Sequence, residues 1–239
     1  MAVKPKIKKA LPFFVRKYRI LRDGDRAWVV IWLLIFSSFI LLDLLFPHLV
    51  FQSTVVKYAG IFLCVIYTWA KFGNDTLLCL AILMTLLSDT ILMFLDAKTF
   101  GVFTFCFAQL FHALRLSGTP SRYILTYFVA VFMIFTFGVL QDIPPLYVLA
   151  FIYASNFVIN IYLSWKWHRQ EPSNLNASCC FWGMLLFIMC DICVGVGYLG
   201  SQGVVPAAIA SLVSFFIFIF YYPSQVLLSN SSNLVDHAH

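Results

Sequence analysis

The sequence predicts an all-α protein: a polytopic transmembrane bundle of about eight helices with both termini cytoplasmic. Three observations carry that reading. Of the 239 residues, 62% are hydrophobic and 11% are charged, where a soluble domain carries roughly 25% charged residues. The mean hydropathy of +0.91 places most of the chain in lipid. The apolar residues gather in runs near the ~20 residues that a helix needs to cross ~30 Å of hydrocarbon, and they lack the alternation of barrel strands. Finally, with the N-terminus inside, only Lys57 and Lys98 of the 16 Lys and Arg fall on the outer side, a strong positive-inside asymmetry that supports an even number of crossings.

Residues 1–27 form a basic head with Lys4, Lys6, Lys8, Lys9, Arg16, Lys17, Arg19, Arg22 and Arg26 against Asp23 and Asp25. The charges interleave with Leu11, Phe13, Phe14 and Ile20, as in an interfacial helix on anionic headgroups. The net charge of +6 therefore speaks to topology and lipid, and no nucleic-acid partner is expected. The transmembrane domain follows at 28–228, with segments at 28–46, 55–70, 74–95, 99–115, 122–139, 144–166, 176–197 and 204–227, and a short tail at 229–239. Turn residues mark the breaks: Pro47-His48, Phe72-Gly73-Asn74, Asp96-Ala97-Lys98, Gly118-Thr119-Pro120, Pro144-Pro145, Pro172-Ser173-Asn174 and Gly200-Ser201-Gln202-Gly203. These loops are too short to hold an active site, so any chemistry sits among the helices. Asn176 and Asn230 match the glycosylation pattern but fall on the inner side, where neither is expected to be used.

Two of these segments carry an isolated acid. Asp89 lies inside LMTLLSDTILMF and Asp191 inside LLFIMCDICV. A carboxylate at the centre of a membrane helix costs roughly 2.5 kcal/mol or more, so each needs a reason. The third and seventh helices run the same way, and both acids fall equally far into their segments. At about 1.5 Å rise per residue both lie roughly 22 Å from the inner end, where they can face each other across a pocket. Asp43 sits nearer an end and reaches the outer interface. Gln109, His112 and Arg115 share a stripe of the fourth helix; Arg115 is expected to snorkel to the inner interface, while Gln109 and His112 either line a cavity or bond between helices. Asn156 and Asn160 form an inward stripe on the sixth helix, as a site or as packing glue. In the last helix, Tyr221, Tyr222 and Gln225 surround Pro223, which deprives the Ile219 carbonyl of its helical partner. The seven cysteines read as small core residues, the Cys190–Cys193 pair included. No HExxH or Cys/His cluster asks for a metal, and no cofactor is expected.

Two carboxylates in a low-dielectric pocket suit acid/base hydrolysis, one held protonated and the other ionised, as in glycosidases working through an oxocarbenium-like transition state. In a membrane the substrate is a lipid. The same acids also suit a transporter or a non-enzymatic lipid-binding or sensing bundle, and the residues alone leave these readings open.

LLSDTILMF, FAQLFHALRLSG, WGMLLFIMCDICVGV and YYPSQVLLS together resemble the YhhN-like lysoplasmalogenase family over roughly residues 55–228. Ser88 stands where many members carry Gly. The resemblance implies eight membrane helices and hydrolysis of the vinyl ether bond of lysoplasmalogen to a fatty aldehyde and a glycerophospho-base. It implies Asp89 and Asp191 as the catalytic acids and Tyr221, Tyr222 and Gln225 as the last-helix motif. The expected partner is a membrane lipid, lysoplasmalogen or a related lysolipid, and the sequence leaves room for a homodimer. The location implied is the cell membrane if the protein is bacterial, or the endoplasmic reticulum if eukaryotic.

Overall fold

A computed structural model describes residues 23–46, 48–117 and 120–233; most of the basic head, the Gly118-Thr119 turn and the last residues of the tail lie outside them. The described chain is all-helical: α1 Asp23–Leu45, α2 Val50–Phe72, α3 Thr76–Phe94, α4 Lys98–Leu116, α5 Pro120–Leu140, α6 Pro145–Gln170, α7 Leu175–Ser201 and α8 Ala207–Ser229. All eight are long and apolar enough to span a membrane. The even count puts both ends of the bundle on one face. Each helix ends within a few residues of the break that the turn chemistry marks.

Local chemistry sets the ends. Asp75 caps α3 by accepting from the Leu78 amide, and Asn174 caps α7 by accepting from the Asn176 and Ala177 amides, each satisfying amides that a first helical turn leaves open. Pro144 and Pro145 open α6, where a missing N–H costs nothing. Asp96 and Asp142 turn the chain after α3 and α5 through positive φ values of 48° and 52°, a conformation that short polar side chains tolerate.

Six helices close a ring: α2 packs on α3, α3 on α4, α4 on α6, α6 on α7, α7 on α8, and α8 back on α2, with α8 also touching α3. The α7–α8 seam is the most extensive. It is close because Gly183 leaves room for Leu228, which a Cβ would meet at 2.9 Å. Ile61, Cys64, Leu78, Ile82, Phe157, Phe187, Tyr222 and Leu228 form the apolar core inside. α1 leans on α2 from outside, and α5 packs lightly on α4 and α6. The difference in burial is large: 61% of the α4 span is buried against 6% of the α5 span. Such an all-round apolar helix at the rim presents its side chains to lipid.

At the inner end, the segment just after α8 folds back into the bundle. Tyr67 donates to Asn230 at 2.6 Å, Asn176 to the Ser232 carbonyl at 2.9 Å, Ser232 to Asp75 at 2.9 Å, and Asn233 to the Arg115 carbonyl at 2.9 Å. Residues read from sequence as the start of a free tail thus tie α2, α3, α4 and α7 together.

Candidate functional site

Asp89 lies on the inward face of α3 and is 6% exposed. The Tyr221 hydroxyl, from α8, donates to its Oδ2 at 2.5 Å. Neighbouring side chains fix the height of α3. Ser88 donates to the Gly101 carbonyl of α4 at 2.6 Å, and Thr90 bonds Tyr58 of α2 at 2.9 Å. Gly101 permits this approach because a Cβ there would lie 2.4 Å from Leu92. The serine at position 88 thus acts as a strut between α3 and α4.

Asp191 is half-buried on α7, and the Tyr153 hydroxyl of α6 donates to its Oδ2 at 2.7 Å. α3 and α7, which carry the two acids, are not adjacent in the ring, and α8 contacts both. Aromatic rings fill the space between the two Asp–Tyr pairs. Phe187 sits 5.6 Å from Tyr221, 5.9 Å from Phe105 and 5.1 Å from Phe157, and Tyr153 packs on Phe105 and Phe157 at 5.8 and 5.7 Å. Each acid therefore has a dedicated phenol donor and an apolar wall. One oxygen of each carboxylate is held while the local dielectric stays low, so charge there interacts strongly with anything that develops charge nearby.

Toward the inner end lies a second polar layer. Asn160 donates to the Gln109 side chain at 2.7 Å and to its carbonyl at 2.8 Å. Gln225, one turn along α8 from Tyr221, is fully buried, as are Gln109, His112 and Asn160. Among the described residues, several of their polar atoms have no hydrogen-bond partner: Gln109 Nε2, both ring nitrogens of His112, Asn160 Oδ1 and Gln225 Oε1. An unmet buried polar atom costs about 1–3 kcal/mol, so the cluster is suited to meet polar groups of a bound molecule.

Arg115 does not snorkel. Its residue is 6% exposed; the guanidinium donates to the Ser231 carbonyl, to Ser231 Oγ at 3.1 Å and to Cys180 Sγ at 3.6 Å, with Asp75 Oδ2 at 3.9 Å. The returning segment 230–233 supplies the acceptors that make burial cheaper than reaching for water. Asp43, expected at the outer interface, is part-exposed there and is tied to Ser53 and to Lys57, 2.7 Å away.

The remaining expected residues diverge. Asn156 faces α5, donating to Tyr127 at 3.1 Å, whereas Asn160 one turn on faces α4. Tyr222 turns to α1, stacked 6.0 Å from Phe36 and edge-on to Phe39 at 5.7 Å, away from Asp89. Sequence reasoning missed Tyr153, Phe187 and Asp75. Tyr153 continues the Asn156 stripe by one turn, and Asp75 stands in a capping position ahead of an apolar run; both signals were present. All seven cysteines are free. Among the described residues no cluster of three or more His, Cys, Asp or Glu could hold a metal ion.

The fold and the site define a polytopic helical membrane protein with a carboxylate pair inside its bundle. The YhhN family model matches residues 52–232, most of the chain, and the protein belongs to that family. Comparison with curated proteins and with solved structures finds no match.

Proposed function

We propose that the protein is a membrane-embedded hydrolase that cleaves the vinyl ether bond of lysoplasmalogen, with Asp89 and Asp191 as its acid/base pair. The observation that carries this reading is the pairing of each acid with its own tyrosine, Tyr221 to Asp89 and Tyr153 to Asp191, with both phenol rings packed on the same aromatic cluster around Phe187, Phe105 and Phe157. Family membership supports it.

The reaction runs in balanced steps. The protonated carboxyl adds its proton to the vinyl carbon beyond the ether-bearing carbon, and the ether oxygen lends its electron pair to form an oxocarbenium ion. The ionised carboxylate stabilises that cation and takes a proton from water as the water oxygen adds to it. The hemiacetal then breaks its bond to the glycerol oxygen: the carboxyl that took the water proton gives it to that oxygen, the hemiacetal hydroxyl passes its proton to the other carboxylate, and the alcohol and the fatty aldehyde leave with both acids in their starting states. Tyr221 and Tyr153 hold their carboxyls in place and stabilise whichever is ionised. Gln109, His112, Asn160 and Gln225 offer both donors and acceptors to the glycerol hydroxyl and phosphate. Asn156 and Tyr222 lie on faces further from the acids and act through packing of their helices.

Hydrolysis in heavy water tests the reaction type. Purified protein given lysoplasmalogen, with the aldehyde trapped by reduction as it forms, should yield product carrying one solvent deuterium on the carbon next to the former carbonyl. The saturated alkyl ether analogue should not be cleaved. Aldehyde without that deuterium would contradict carbon protonation.

A further inference from the structure

A cleft of about 120 Å³ lies between α5 and α6, open to the side of the bundle. Ala130, Val131 and Ile134 form one wall and Ile152 and Ile159 the other. Tyr123, Tyr127 and Asn156 line its inner half. Both helices span the hydrocarbon at this level. The Asn156 amide is already bonded to the Tyr127 hydroxyl, and the surface presented by the remaining wall is mainly apolar, so the cleft favours hydrocarbon over a headgroup or a peptide backbone. The space is also well under the ~300 Å³ of a small-molecule pocket, so it suits a stretch of hydrocarbon chain and not a whole lipid.

The cleft leads to Asp191. Val131, Ile134 and Ile152 belong to one apolar cluster that also holds the Tyr153 ring, and the Tyr153 hydroxyl is the donor to Asp191. The cleft wall is therefore one side chain away from the carboxyl, which is itself only half-buried. At the inner end, Ser231 and Ser232 are buried among Arg115, Asp75 and Asn176 and cover the bundle. α5 is the least buried of the eight spans, so drawing it away from α6 disturbs little packing.

We propose that this cleft is the binding site for the hydrocarbon chain of a single-chain lipid, which enters sideways from the bilayer between α5 and α6 and brings the carbon next to its headgroup up to Tyr153 and Asp191. The proposal rests on the hydrolase reading for the identity of the reacting lipid. The chain site itself does not require catalysis.

The test uses the full chain in nanodiscs and a long-chain lysophosphatidylcholine carrying a mid-chain diazirine. Photolabel is expected within residues 123–159. Unlabelled long-chain lysophosphatidylcholine should compete it away, and glycerophosphocholine should not. Filling the cleft from either wall, by Ala130→Trp or Ser155→Phe, should lower the competed label about tenfold. Phe132→Trp enlarges a side chain that is 72% exposed on the lipid face of α5 and should leave the label unchanged. Asp191→Asn should keep the label as well. Competed label on other helices, label in 123–159 that long-chain lipid does not compete, or a label indifferent to both filling variants would overturn the proposal. Specific label in 123–159 from a protein that releases no aldehyde would support the chain site and count against the hydrolase reading alone.

Discussion

The Tyr221 hydroxyl reaches across from α8 to Asp89 on α3 and donates to its carboxyl at 2.5 Å, and the two residues are only 5% and 6% exposed. Removing the phenol oxygen in Tyr221→Phe takes away one hydrogen bond to an acid that has little water to replace it. Such bonds to charged groups contribute about 1.5–3 kcal/mol, so aldehyde release should fall roughly 10- to 100-fold with the ring packing on Phe187 retained. Steady-state kinetics on the variant check this, and an unchanged kcat would show that Asp89 does not depend on its phenol.

The Tyr153–Asp191 pair makes the same contact at 2.7 Å in a less enclosed setting, since both residues are half-buried. Water takes over part of the lost bond in Tyr153→Phe. The expected loss in kcat is therefore smaller, about tenfold or less. A loss larger than that of Tyr221→Phe would mean that Asp191 is the more secluded acid in the working protein.

Arg115 is a stability residue. Its guanidinium and Asp75 together organise the segment after α8, and substituting Arg115→Met leaves the Asp75 carboxylate and the Ser231 carbonyl without their cation. Stripping one partner from a buried charged cluster costs about 3–5 kcal/mol. Thermal unfolding in detergent should drop by several degrees or more for Arg115→Met, and truncation after Ser229 should reproduce most of the drop. An unchanged midpoint in both would show that segment 230–233 is not part of the folded bundle.

Gly60 faces Tyr222 so closely that a Cβ would lie 2.4 Å from the ring. Gly60→Ala must push Tyr222 against Phe36 and Phe39 of α1, and overpacking of this kind costs about 1–3 kcal/mol. Loss of thermal stability is expected with little change in KM, because Tyr222 points away from Asp89.

The eight helices were legible because hydropathy and turn chemistry depend on residues close in sequence. Asp89 and Asp191 were legible for a related reason: one acid in an otherwise apolar run stands out against its own desolvation cost. Tyr221 was legible as part of the last-helix motif, but its pairing with Asp89 was not, and Tyr153 was missed. A tyrosine in a membrane helix has many uses, and only the ring closure of six helices brings Tyr221 to α3 and Tyr153 to α7. Arg115 misled because its sequence places it near an interface; the oxygen acceptors that keep it buried come from Ser231, more than a hundred positions away. The marginal place of α5 was equally hidden. Its hydropathy of 2.2 matches that of α7, and only tertiary contacts decide which apolar helix is lined by protein and which by lipid.

If the two carboxyls act together on the vinyl ether, neither can be lost without losing turnover. The most direct measurement is aldehyde release from lysoplasmalogen by the purified protein beside Asp89→Asn and Asp191→Asn, with folding checked by thermal unfolding. General acid/base groups contribute about 10²- to 10⁴-fold, so each substitution should lower release by at least about a hundredfold while the unfolding midpoint holds. Release that survives either substitution at near wild-type rate, in a folded protein, would contradict the account.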